Sequence, residues 1–399
     1  MLKGKNILLG VTGSIAAYKA LELVRLFTKN GANVRVLMSE EAKRFVTPLS
    51  FEALSKNRVL SLETESWADD NNHIFINRWA DVFVIAPATA NTINKLSCGI
   101  ADNLLTSAAL AFTKPILIAP AANTAMFLHR STQHSLEKLK SFGYKIVEPA
   151  TKLLACDIEG QGALANTKAI FYETARALLS SPFWRDRDVV VTGGGTVEKI
   201  DDVRFISNFS SGKMAEGLAT ALFVSGANVT YIQSAKSHDI NLPVTRVFVK
   251  SSDDMKKALD ENIANIKKTP SPFLFMAAAV SDYKPLEQKN GKLKKEEIGK
   301  SFNLELVKNK DLLFNLDKTG IKTVGFKAEF DNKEAKECAK NMLKIKNLNA
   351  VCLNVIGEQN PFGSDENTIT FITADSEKEF GKKTKLAISF EILKACEEL

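Results

Sequence analysis

Cysteine is scarce and shows no paired spacing: five residues, at 98, 156, 338, 352 and 396, with no C-x-x-C among them. That argues against a disulfide framework or a cysteine-built zinc site, and it fits a reducing compartment, the cytoplasm. Long apolar runs are missing as well. The run in MLKGKNILLG is too short for a signal peptide before Gly10 and Gly13 turn the chain. The longest, around 115–128, is interrupted by Asn123 and falls short of the ~20 residues a membrane span needs. No basic tail and no RRM-type aromatic pattern is present, so neither nucleic acid nor membrane is an expected partner. Two nucleotide-binding motifs are also absent. The turn after the first strand reads Gly10-x-x-Gly13-x-x-Ala16, not G-x-G-x-x-G. At 207–214, Ser207 and Met214 stand where a P-loop requires Gly and Ser/Thr.

What remains is ordinary globular composition: 399 residues, 45% hydrophobic and 25% charged, with a net charge of +7 that suits phosphorylated small molecules. Length alone makes two domains the natural expectation. The reading centres on VVVTGGGTVEKIDDVRFISNFSSGKM, 189–214. An apolar strand runs into the triple glycine Gly193 to Gly195, which permits a tight turn and close approach of backbone to a ligand. Arg204, Asn208, two serines and Gly212-Lys213 then lead into a helical pattern over 213–225, a phosphate-friendly helix start.

The first half follows the same plan. A strand at 5–11, a helix at 14–29 and a strand at 33–38 are expected, and Gly31-Ala32-Asn33-Val34 recurs as Gly226-Ala227-Asn228-Val229. Further strands are expected at 82–86, 116–119, 188–192, 273–276, 323–326 and 350–353, with a seam between halves at 179–188. The fold class is therefore α/β, two doubly wound parallel-sheet domains: a flavodoxin-like one, then a Rossmann-like one. Such sheets bind ligands at the carboxyl ends of their strands. In the first half those ends carry Gly13 and Ser14, Ser39, Ala88 and Thr89, then Asn123: hydroxyls, an amide and backbone N–H groups with few cations. FMN, its phosphate held by dipoles, fits that set better than a dinucleotide.

VTGSIAAYK, HIFINRWAD, APATANTINKL, PAANTAM and ACDIEGQGAL resemble the phosphopantothenoylcysteine decarboxylase family of FMN enzymes. VTGGGT, DDVRFISNFSSGKM, AAAVSDYKP, KLKK and VGFKAE resemble phosphopantothenate–cysteine ligases. In this order they cover nearly the whole chain and resemble the bifunctional coenzyme A biosynthesis family of bacteria. The resemblance implies a decarboxylase domain over 1–180 and a CTP-dependent ligase domain over 186–399.

For the decarboxylase it implies His73 as base, Asn123 as holder of the substrate carboxylate and Cys156 as proton donor, with flavin making and later reducing a thioaldehyde so that CO2 can leave. For the ligase it implies an acyl-cytidylate made from 4′-phosphopantothenate and CTP with Mg²⁺, then displacement of CMP by the cysteine amine. Asn208, Arg204 and Lys292 then act around the acyl-cytidylate and nucleotide. Met276, Ala277 and Ala278 line the base, Asn309, Lys310, Asp311, Leu312 and Phe326 flank it, Lys346 reaches the phosphates, and Asp282 contacts nucleotide or metal. A homo-oligomer is implied too, trimers of the first half joined by dimers of the second into a dodecamer.

Several positions depart from the family pattern: Ala122, Asp157 and Ala163 in the first half, Gly195-Thr196-Val197-Glu198, Lys310 and Met342 in the second. Two other readings stay open, the first favoured by Ala122 and Ala163 and the second by the two doubly wound halves. One is a ligase with a non-catalytic flavoprotein-like first domain. The other is an NAD(P)-dependent reductase, which Glu40 near the end of the second strand would serve.

Overall fold

A computed structural model describes residues 1–153, 159–234, 242–294, 301–330, 332–357, 361 and 363–399. The chain divides into two compact units after Leu179. In the first, β1 (Asn6–Val11), β2 (Asn33–Met38), β3 (Val82–Ala88), β4 (Ile116–Pro120) and β5 (Lys145–Ile146) form one parallel sheet in the order β2-β1-β3-β4-β5. β1, β3 and β4 are unbroken apolar runs because both faces of each are covered; every residue of β3 and β4 is buried. The strand order is the flavodoxin-like one, with its switch point between β1 and β3. There the Thr12 hydroxyl donates to Pro87 O at 2.7 Å and accepts from the Thr89 N–H at 3.0 Å, tying the two strand tips together. A short hairpin, β6 (Ala150–Leu153) with β7 (Glu159–Ala163), follows the sheet.

In the second unit the main sheet contains β8 (Asp188–Gly193), β11 (Asn228–Ser234), β12 (Thr245–Val249), β13 (Phe273–Met276), β16 (Lys322–Glu329), β17 (Ala350–Val355), β18 (Glu366–Ile372) and β19 (Glu377–Thr384). Two small ladders lie outside it, β9 (Glu198–Lys199) with β10 (Phe205–Ile206) and β14 (Tyr283–Pro285) with β15 (Leu306–Lys308). The order β12-β11-β8-β13-β16-β17-β18-β19 is parallel through β17, which is the Rossmann order counted from β8. β18 and β19 add antiparallel, an extension the apolar-run reading did not anticipate. β19, EKEFGKKT, is mostly exposed and lysine-rich, as an edge strand that must resist further pairing should be. The repeated Gly-Ala-Asn-Val has one structural meaning in both units. Gly31 and Gly226 turn at φ 88° and 108°, and the following Asn and Val open the strand beside the first, Asn33 opposite Asn6 and Asn228 opposite Asp188.

Two stretches singled out in the sequence gain a packing role in the structure. The triple glycine accommodates protein neighbours: a Cβ on Gly193 would lie 2.5 Å from both Ala215 Cβ and the Tyr231 hydroxyl, and one on Gly194, at φ 83°, 2.3 Å from Ser234 Oγ. The seam also contains structure. Trp184 is 1% exposed and packs with Phe183, Phe273 and Phe275 at ring-centroid distances of 5.0, 4.9 and 6.4 Å. Trp184→Ala is therefore expected to cost the second unit about 3–5 kcal/mol, read as a lower urea midpoint. A midpoint within experimental error of the parent would show that this stretch is only a linker.

Candidate active sites

At the carboxyl edge of the first sheet, four strand tips each run into a helix or 3-10 turn, and a polar side chain caps each start. Ser14 Oγ accepts from the Ala16 N–H at 3.2 Å, Ser39 Oγ from Ala42 at 3.3 Å and Thr89 Oγ1 from Thr92 at 3.3 Å; Asn123 Oδ1 accepts from Ala125 at 2.9 Å. The three hydroxyls accept in these caps, which leaves each with a proton to donate; that of Thr89 has the Thr92 hydroxyl within reach at 3.1 Å. Hydroxyls and helix starts without a lysine among the caps fit a phosphate bound by dipoles. Gly13 serves packing: a Cβ there would lie 2.4 Å from Glu41 Cβ.

His73 is the first residue of the helix His73–Trp79, which returns the chain from β2 to β3. Its Nδ1 lies 2.6 Å from Glu65 Oε1. Sequence reasoning missed Glu65 because nothing local marks a glutamate eight residues upstream in a polar loop. Asn123 and the hairpin are joined directly. Ala122 N–H donates to Gly162 O at 2.9 Å. Gly162 sits at φ 136° with room for no Cβ, which would fall 2.4 Å from Ala122 O; one on Gly160 would fall 2.2 Å from Thr124 Oγ1. Two glycines thus seat β7 against the loop that carries Asn123. Cys156, called as proton donor, lies outside the described residues, as does Asp157. The other four cysteines are unpaired, and burial pushes the thiols of Cys352 and Cys396 up.

In the second unit the loops after β8 and β13 meet at the switch point. Thr196 Oγ1 accepts from the Ser281 N–H at 3.1 Å, and Ala279 N–H donates to Gly194 O at 2.9 Å. Against these loops lies a cavity of about 240 Å³ lined by Met276, Ala278, Asp282, Asn309, Lys310, Asp311, Leu312, Phe326 and Lys346, the residues singled out from sequence. Met342 and Lys308 also line it. A second cavity of about 360 Å³ shares Ala278, Asp282 and Phe326 with it and adds Ala277 and the helix start at Ser211 to Lys213. Asn309 lines the first cavity but spends its amide on structure, donating to Ser281 O at 3.0 Å and Ser252 Oγ at 2.7 Å. Lys346 pairs with Asp311 at 2.8 Å. Burial alone would raise the Asp311 carboxyl, but Lys346 and the Phe314 N–H hold it below the usual carboxylate range.

Asn208 itself lines neither cavity; its Nδ2 donates to Val280 O at 3.1 Å, and Val280 lines both. Arg204 and Lys292 line neither; they are brought together by a residue not called from sequence. Asp201, 1% exposed, accepts from the N–H groups of Val203 and Arg204 at 2.8 and 2.6 Å through Oδ1. Its Oδ2 accepts from Arg204 Nη1 and from the Leu293 N–H, both at 3.2 Å. Burial would raise this carboxyl; the three backbone donors and the guanidinium outweigh that and hold it below its ordinary range. With Lys289 N–H on Ile200 O and Asp202 N–H on Gly291 O, the 289–293 strip is latched beside 200–204, Lys292 exposed upon it. Lys295 lies outside the described residues.

No helix among the described residues is long and apolar enough to cross a membrane. The fold and these edges define a two-domain, doubly wound α/β protein with a candidate site at the carboxyl end of each sheet. Residues 1–179 match the Flavoprotein family and residues 184–399 the DNA/pantothenate metabolism flavoprotein C-terminal domain. The chain is 35% identical to the coenzyme A biosynthesis bifunctional protein CoaBC of Haemophilus influenzae and 37% identical to that of Bacillus subtilis, in each case over 98% of this chain and 97% of the relative. Among solved structures it is similar to a PPC decarboxylase mutant complexed with pantothenoylaminoethenethiol (36% identity, 44% of this chain and 97% of that one, TM-score 0.40). It is also similar to the C-terminal domain of a CoaBC protein (29% identity, 55% and 97%, TM-score 0.44). The chain belongs to the family of bifunctional coenzyme A biosynthesis proteins.

Proposed function

We propose that this protein converts 4′-phosphopantothenate and cysteine to 4′-phosphopantetheine in two steps. It is a bifunctional enzyme, a phosphopantothenate–cysteine ligase and a phosphopantothenoylcysteine decarboxylase. The observation that carries this reading is the full-length likeness to bifunctional relatives. In our reading residues 186–399 ligate and residues 1–180 decarboxylate.

In ligation the substrate carboxylate attacks the α-phosphate of CTP, giving an acyl-cytidylate and pyrophosphate; the cysteine amine then displaces CMP and forms the amide. The cavity along β13 and β16 takes the nucleotide, with the backbone of Met276 to Ala278 on the base, Lys310 among the residues that flank it and Lys346 toward the phosphates. Asn208 and Arg204 hold the mixed anhydride, and Lys292 neutralises charge that develops on the phosphate. Among the described residues no three His, Cys, Asp or Glu side chains gather as a metal cage. A single carboxylate, Asp282, suits Mg²⁺ carried in largely by a triphosphate.

In decarboxylation Ser14, Ser39 and Thr89, with the backbone of Gly13 and Ala88, would hold FMN, which when bound supplies the reversible oxidation that lets CO2 leave. His73 takes the substrate thiol proton, Asn123 donates through Nδ2 to the departing carboxylate, and Cys156 returns a proton. From the family resemblance we propose a homo-oligomer, trimers through the first unit joined by dimers through the second. We place the enzyme in the cytoplasm. The reductase reading is tested cheaply by spectroscopy. Purified protein should carry flavin absorbance and leave NADH and NADPH unoxidised; nicotinamide turnover would overturn the assignment.

A further inference from the structure

Beyond the 2.6 Å contact to Nδ1, the backbone N–H of His73 donates to the same Glu65 oxygen at 3.4 Å. The two side chains are 22% and 18% exposed, so the pair is partly shielded from water. Trp67 meets the imidazole edge to face, centroids 5.6 Å apart and planes at 87°. The loop that carries Glu65 is itself braced. Glu65 N–H donates to Ser61 O and Ser66 N–H to Asn71 O, both at 2.9 Å, and Asn71 Nδ2 donates to Thr64 O at 2.7 Å. At its far end Asn72 Oδ1 accepts from the Phe75 N–H at 2.9 Å, capping the helix His73 begins. The loop and the helix start therefore fix both members of the pair.

A carboxylate can only accept, so the nitrogen facing it must carry the proton. In the neutral imidazole that leaves the lone pair on Nε2. We propose that Glu65 is a positioning residue for decarboxylation: it selects the Nδ1–H tautomer of His73 and fixes the ring so that Nε2 accepts the substrate thiol proton. Glu65 acts here through His73, and the inference rests on the reading of His73 as the base.

Three variants of the full-length, FMN-loaded protein test it, assayed with the phosphopantothenoylcysteine conjugate. E65A should lower kcat about 10–100-fold, with KM changed less than about threefold. In ¹⁵N NMR of the imidazoles, with the His73 signals assigned by their loss in H73N, E65A should move His73 from the Nδ1–H to the Nε2–H form. E65Q keeps an acceptor oxygen at Nδ1, so it should retain the native tautomer and recover most of kcat. If H73N decarboxylates normally, the base reading fails and takes the positioning role with it. If H73N is inactive but E65A keeps its kcat or its tautomer, only the role of Glu65 is overturned. E65Q as slow as E65A would overturn it too, because orientation would then not be what Glu65 supplies.

Discussion

His73→Asn is expected to slow decarboxylation by about 10²–10⁴-fold, the range a positioned general base contributes, and to leave ligation at the parent rate. Asparagine keeps an amide near the place of Nδ1 but has no basic nitrogen at the place of Nε2. The residues proposed for ligation all lie in the second unit. In a coupled incubation the cysteine conjugate should therefore accumulate while pyrophosphate release continues. Mass spectrometry of the products separates the outcomes. Unchanged formation of 4′-phosphopantetheine would remove His73 from the chemistry, and loss of both products would indicate misfolding, checked by the retained flavin spectrum.

Asp201→Asn is expected to lower ligation by roughly 10²-fold with decarboxylation of supplied conjugate unchanged. The geometry makes the substitution selective. Oδ1 takes the Val203 and Arg204 N–H groups, so an asparagine oxygen placed there keeps the local turn. The amide NH2 then faces the Leu293 N–H and the Arg204 guanidinium, donor against donor, so the strip is released at its Leu293 end, beside Lys292, while the backbone bonds at Lys289 and Gly291 stay in place. If Asp201 acts by holding Lys292, the double variant D201N/K292A should ligate no more slowly than K292A alone. Multiplied defects would show that Asp201 acts on its own. The same latch carries a pH dependence. A carboxyl held below its unfolded value stabilises the fold above that unfolded value, and the contribution disappears as pH falls through the depressed folded one.

The sheets were legible because buried parallel strands read as apolar runs. VVV at 189–191, FLFM at 273–276 and AVCL at 350–353 fall within β8, β13 and β17. β12 and β19 were not, since TRVFV is only partly buried, EKEFGKKT is mostly exposed, and neither carries such a run. Motifs named most of the candidate residues of the second unit, and the structure gathers nine of them around one cavity. What motifs could not give is the partner of each residue. Glu65 has no local signal, and Asp201 sits in plain view in DDVRF while its third partner, Leu293, comes from another loop. The glycines carry a packing role that motifs also could not give. Gly193 and Gly194 invite a ligand-centred reading, yet what presses on them is Ala215, Tyr231 and Ser234.

The most direct test is a single incubation of the purified, FMN-loaded protein with 4′-phosphopantothenate, cysteine, CTP and Mg²⁺, analysed by mass spectrometry. The account expects 4′-phosphopantetheine, with CMP and pyrophosphate as co-products. Accumulation of the cysteine conjugate alone would leave the ligase standing and contradict a catalytic first unit; no product at all would contradict the account as a whole.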